Sequence, residues 1–295
     1  MKTRAVMTAM TTPRLVCGAV TAALALAPRP AAADDAPSAL DNLYVRSVGA
    51  LHLSTALASS DEVVLSNVSG PAALAIENGP IAGSGASVSS VTLPALSVGY
   101  VVARWGPRYS LAIETVLAPP PIVIQLRGTG TLADMSLAET ALGLPTGVPA
   151  LGGELGRSEA VPPMVTAVFR PLADHRIQPY VGAGLSYLII TKTEITNPIL
   201  TEVGQPRVEV DHGFDQLGFV AQAGLEAKVA EVNGMDVLIN VDLKYIAHLT
   251  VTATVKDAYV RTPRLPLYEM VPVGDATASV HVNPLVLQAG AGVNF

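Results

Sequence analysis

The chain has 295 residues, half of them hydrophobic but only 4% aromatic, with 14% charged and a formal net charge of −6. An acidic balance without a clustered basic face argues against nucleic-acid binding, and a single cysteine, Cys17, rules out a disulfide framework. Beyond residue 33 no apolar run approaches the about 20 residues that a spanning helix needs. The hydrophobicity is instead dispersed along the chain.

The first 33 residues read as a secretory signal. Lys2, Arg4 and Arg14 supply positive charge, Leu15 to Ala27 run apolar, and Ala31-Ala32-Ala33 offers a cleavage site before Asp34. Cys17 sits inside the apolar run after bulky Val16, out of place for a lipoprotein cysteine. Residues 34–295 are then expected to form one exported domain without cysteine. Such a domain suits a fold joined by a closed ladder of hydrogen bonds rather than by disulfides.

Eight segments after the signal have the composition of strands. They are 43–53, 92–103, 108–116, 161–170, 176–190, 215–229, 235–252 and 279–295. The connections between them alternate in length. Short turns fall at Arg104–Pro107, Pro171–His175 and Ala230–Gly234, the last carrying the hairpin signal Asn233-Gly234. Long loops fall at 54–91, 117–160, 191–214 and 253–278. A transmembrane barrel sorts its connections in this way, with short turns on the periplasmic side and long loops outside, and a soluble sandwich has no reason to. If 63–68 or part of 253–278 paired into the wall, the count would rise to ten.

The faces of these strands differ. In the sixth, Leu217, Phe219, Ala221, Ala223, Leu225, Ala227 and Val229 oppose Gly218, Val220, Gln222, Gly224, Glu226 and Lys228. In the seventh, Ile239, Val241, Leu243 and Tyr245 oppose Asn240, Asp242 and Lys244. From Leu285 to Phe295 every second residue is apolar, with Gln288 on the other face. Period two with one greasy face is the pattern of a lipid-facing strand. A charge in mid-strand is costly against acyl chains and tolerable in a polar lumen. Gln222, Glu226, Lys228, Asn240, Asp242, Lys244 and Gln288 are therefore assigned to the lumen, with Val48, Ala50, Val101, Val220 and Val286 as apolar patches and Gly182, Gly184, Gly218, Gly224, Gly290 and Gly292 leaving space. Tyr44, Tyr100, Trp105, Tyr180, Tyr187 and Phe295 lie towards strand ends, where aromatic belts form.

Several segments resemble the OmpW family of outer-membrane proteins. IQPYVGAGLSY at 177–187 is similar to that family's "RPYVGAGxxY" strand. Pro162-Pro163 matches its double proline, Ala118-Pro119 its "AATP" before a long loop, and INVDLKYIAHLTVTATV its "VNMSVWYMDIDTTA" strand. The ending HVNPLVLQAGAGVNF looks like its "xLDPWVFxxxxGYRF" ending, with Asn283-Pro284 for Asp-Pro and Val293-Asn294-Phe295 for Tyr-x-Phe. The resemblance implies an all-β, eight-stranded antiparallel transmembrane barrel in the bacterial outer membrane. It implies contact with outer-membrane lipid and lipopolysaccharide, and recognition of the C-terminal strand, ending in Phe295, by the outer-membrane assembly machinery.

An eight-stranded barrel is wide enough inside for side chains or one small ligand. The expected function is a narrow passive channel for small, mainly hydrophobic molecules, with no catalytic residues, cofactor or metal. The alternative is a non-transporting barrel whose long loops bind a partner, with MSLAETALGL at 135–144 a candidate amphipathic helix there. A lipid-processing enzyme would need a triad. His52 and Ser54 share a face at period two and His248 and His281 are near the same rim, but no third member is specified. Asp211-His212 and Asp215 are too few to read as a metal site.

Overall fold

A computed structural model describes residues 42–74, 76–118, 121–136, 139, 147–202, 206–211, 214–264 and 270–294. The expected signal sequence and Phe295 lie outside these residues, as do His212 and most of the candidate helix at 135–144. Among the described residues no helix is long and apolar enough to cross a membrane. The strands, in chain order, are β1 (Leu43–Ser54), β2 (Ser59–Ser60), β3 (Val64–Ser66), β4 (Gly79–Pro80), β5 (Ser84–Val88), β6 (Val91–Trp105), β7 (Tyr109–Leu117), β8 (Ile122–Gly130), β9 (Glu154–Val161), β10 (Met164–Arg170), β11 (Ile177–Tyr187), β12 (Ile189–Ile195), β13 (Arg207–Val210), β14 (Leu217–Val232), β15 (Met235–Ala247), β16 (Thr250–Arg261), β17 (Met270–His281) and β18 (Leu285–Asn294).

Eight of them close a barrel in the order β1-β18-β15-β14-β11-β10-β7-β6. Every neighbouring pair is antiparallel. Closure removes the free edges that a sheet in lipid cannot tolerate. The short turns fall where the sequence places them. Asn233 and Gly234 both take positive φ, 52° and 77°, as a type I′ turn requires, and bring Val232 opposite Met235. The outer face is apolar and open: Phe219, Leu225, Ile239, Val241, Leu243, Val165, Val181 and Ile113 are all exposed.

The long loops are not loops over most of their described length. They continue the barrel as two further sheets. One is β12-β9-β8-β5, and the other is β13-β16-β17-β3-β4 with β2 paired to β17. Val64–Ser66 and the 253–278 region do pair as strands, but in this second sheet, so the barrel keeps eight. The expected strands at 161–170, 176–190, 235–252 and 279–295 each cross a break between wall and extension. Pro162-Pro163, Leu188, His248-Leu249 and 282–284 mark the breaks. His248 and Asn283 take positive φ, 63° and 35°, bending the chain where no glycine stands. Within the second sheet, Asp275 is buried. The Asp257 amide, the Asn67 side chain and Lys256 hold its carboxyl below the ordinary aspartate value and pin the β16–β17 hairpin to β3.

Candidate functional site

The barrel interior is layered. At the short-turn end it is filled by charge. Arg46 of β1 pairs with Glu114 of β7 and, at 2.6 Å, with Glu226 of β14. Glu226 also faces Arg170 of β10 at 3.5 Å. Lys244 of β15 pairs with Asp242 and lies 3.7 Å from Glu114. Gln222 Nε2 donates to Glu114 and Asp242, both at 3.0 Å. Ser97 Oγ donates to Gln288 Oε1, whose amide donates to the Ser47 carbonyl. Three cations thus meet three carboxylates in a group without net charge. Arg46 is 1% exposed, Lys244 and Gln288 0%. Such pairing is what makes ionised groups tolerable at this depth.

Two tyrosines complete the plug, where the sequence places them in lipid-facing belts. Tyr44 and Tyr180 are 3% and 2% exposed. Arg46 lies 4.0 Å over the Tyr180 ring, and Arg170 lies 4.4 Å over Tyr44. Each ring lies against the glycine paired with it on the next strand, Gly99 for Tyr44 and Gly224 for Tyr180. A β-carbon at either glycine would collide with the ring. Gly224→Ala is therefore expected to cost about 1–3 kcal/mol through overpacking. Urea unfolding followed by the fluorescence of Trp105, the only tryptophan, measures it.

Of the residues the sequence assigns to the lumen, Gln222, Glu226, Asn240, Asp242, Lys244 and Gln288 are all buried inside the barrel. Lys228 is not part of the cluster. It sits at the short-turn rim beside a register shift, one-third exposed, paired with Glu231 and Asp236. Ala50 faces outward, and so does its face-mate Val48. Ser47 takes φ 58° and the β1 ladder shifts register between Val45 and Val48. The bulge buries Arg46 and Ser47 in succession and reverses the parity beyond, so Leu51 turns inward. Arg46, Glu114 and Arg170 were not among the sequence candidates. Each is an isolated charge inside a spanning strand, and that signal alone points to the lumen.

Above the plug lies an apolar ring of Leu51, Ala95, Val116, Met164, Val220, Ile246 and Val286, drawn from every wall strand except β11. Above the ring, the two outer sheets turn their apolar faces towards a shared cavity of about 230 Å³. Among the described residues no aromatic or charged side chain lines it; the lining is Leu, Ile, Val, Ala, Pro and Met, with Thr55, Ser158 and Thr193. A second cavity of about 150 Å³ opens in the wall between β7 and β10. The β7–β10 ladder stops at Thr115–Val165, and β8–β9 pairing resumes only at Ile122–Ala160. The double proline lies in the unpaired gap, where it has no N–H to donate. Leu53, Ile122, Ala160, Pro162 and Met164 line both cavities, so the two are neighbours across these side chains. At the short-turn end a polar cavity of about 170 Å³, lined by Tyr44, Val101, Arg170 and Gln178, lies on the far side of the plug.

The rim histidines find other partners. His52 Nδ1 lies 2.8 Å from Thr92 Oγ1, and Ser54 Oγ accepts from the Ala56 amide. His248 and His281 share a surface depression with Asp215 and Asn283 on another part of the wall. His281 contacts Thr250, and His248 packs edge-on against Phe219.

Among solved structures, the outer membrane protein OprG from Pseudomonas aeruginosa is similar, with a TM-score of 0.60 and 18% identity over 86% of this chain and 96% of that one. The outer membrane protein AlkL, determined by solid-state NMR in DMPC bilayers, gives a TM-score of 0.43 and 16% identity over 90% and 96% of the two chains. No curated protein matches the chain. The model of the OmpW family matches residues 72–295, from the first outer extension to the closing strand. Sequence and barrel together make this chain a member of the OmpW family of outer-membrane proteins.

Proposed function

We propose that the protein is a narrow passive channel for small, mainly hydrophobic molecules. The outer sheets gather the solute from the external side, the apolar ring stops its descent above the plug, and the gap between β7 and β10 releases it sideways into the outer-membrane lipid. One observation carries this reading: the apolar cavity adjoins the wall gap across shared apolar side chains, while the lumen beneath is packed with a neutral, buried charge cluster. A hydrophobic solute loses roughly 25 cal/mol per Å² of burial on leaving an apolar surface for a polar one, so the side route is the downhill one. The short turns then face the periplasm.

Liposomes carrying the purified barrel test this. A small apolar solute is expected to equilibrate faster than in protein-free vesicles, with ionic conductance at background because the plug is closed. Conductance of ions or sugars with no gain in apolar flux would overturn it.

A further inference from the structure

Within the aliphatic cavity two hydroxyls stand opposite one another. Ser158 of β9 and Thr193 of β12 are register partners, with their oxygens 2.8 Å apart. Ser158 is 3% exposed. Thr193 reaches the inner face through a bulge. The β9–β12 ladder shifts between Ile190 and Lys192, which leaves Thr191 as the extra residue and carries Thr193 onto the side of Ile190 and Ile195. Bulges commonly re-aim a side chain in this way beside functional sites.

Hydrogen-bond accounting makes the pair unusual. Two hydroxyls carry two protons, and their mutual contact uses one. Among the described residues neither has a second partner. The third hydroxyl of the cavity, on Thr55, is already committed to the Val88 carbonyl at 2.7 Å. One donor proton therefore points into a space that is otherwise hydrocarbon, where a missing partner is costly. The nearby charges cannot serve the cavity. Arg157 and Lys192 are spent on Glu194 at the outer surface, with Arg157 58% and Lys192 55% exposed.

Building on the channel reading above, we propose that Ser158 and Thr193 form a polar anchor that selects neutral oxygen-bearing apolar molecules, alcohols and ketones, over plain hydrocarbons. The apolar body of the ligand fills the aliphatic cavity and its oxygen accepts the spare hydroxyl proton. A carboxylate is not the head it fits, because among the described residues no cation lines the cavity beside the pair.

The probes are octane and methyl hexyl ketone, with the ketone isotope-labelled at the carbonyl carbon. Binding to the intact barrel in micelles is followed by NMR, and entry into liposomes is followed in parallel. The comparison protein is the double variant Ser158→Ala, Thr193→Val. Removing both hydroxyls together with apolar groups of similar shape leaves no orphan and preserves the fold. Wild-type protein is expected to favour the ketone, with a carbonyl resonance shifted by hydrogen bonding. The double variant is expected to lose that shift and about three- to tenfold of the ketone preference, with octane unchanged. An unshifted carbonyl in the wild type, or equal ketone preference in the two proteins, overturns the anchor. If neither solute enters liposomes but the shift is present and hydroxyl-dependent, the anchor stands and the channel falls.

Discussion

Replacing Arg46 by methionine is expected to cost about 3–5 kcal/mol of unfolding free energy, the usual penalty for leaving a buried ion-pair partner uncompensated. Arg46 is the hub of the plug. It joins Glu114 to Glu226 and stacks on Tyr180, and both carboxylates are 1% exposed. Without it, the three carboxylates of the cluster share only Arg170 and Lys244. Urea titration of the barrel, reported by Trp105, reads the loss. Adding Glu226→Leu to the same chain is expected to recover much of it, because two charges of opposite sign then leave together and an apolar group takes their space. A single variant within about 0.5 kcal/mol of the parent protein, the range of an ordinary surface substitution, would mean that the cluster does not hold the barrel together.

How far the sequence discloses this barrel depends on the strand. In β14 as far as Glu226, and in β15 and β18, the alternation holds, and Gln222, Glu226, Asp242, Lys244 and Gln288 are inside as period two requires; beyond Glu226 the register shift at Lys228 ends it. In β1 the same alternation misleads from Val48 onward. The bulge at Ser47 is a backbone event, and a serine at φ 58° leaves no trace in the spelling VRSVGAL. Tyr44 and Tyr180 are misplaced for a different reason. Their sites are made by Gly99 and Gly224 across the ladder, and such pairs appear only once register is known. The outer sheets are hidden because alternation does not stop where the wall stops. Past His248 it continues as Val251, Ala253 and Val255 against Thr250, Thr252 and Thr254. The legible change is in the outer letters: Ile239, Val241, Leu243 and Tyr245 give way to threonine, which is what a strand does when water replaces lipid. The prolines at 162, 163 and 284 mark breaks that can be read from sequence; His248 does not.

Ala160→Phe is expected to reduce entry of apolar solutes at least tenfold while leaving the barrel folded. Ala160 is 2% exposed and lines both the outer cavity and the wall cavity, opposite Ile122 and Ile190. A phenyl ring there blocks the proposed route from one to the other, at an overpacking cost of about 1–3 kcal/mol that falls on the outer sheet rather than on the wall ladder. The informative partner is Val101→Phe. Val101 lines the polar cavity on the other side of the plug. If solutes leave sideways above the plug, narrowing that lower space changes nothing, and the two substitutions differ by about tenfold in uptake. If solutes pass straight down the barrel, both variants slow it together. Equal slowing by both, measured in the same liposomes, would remove the side exit and leave the plug as a gate that has to open.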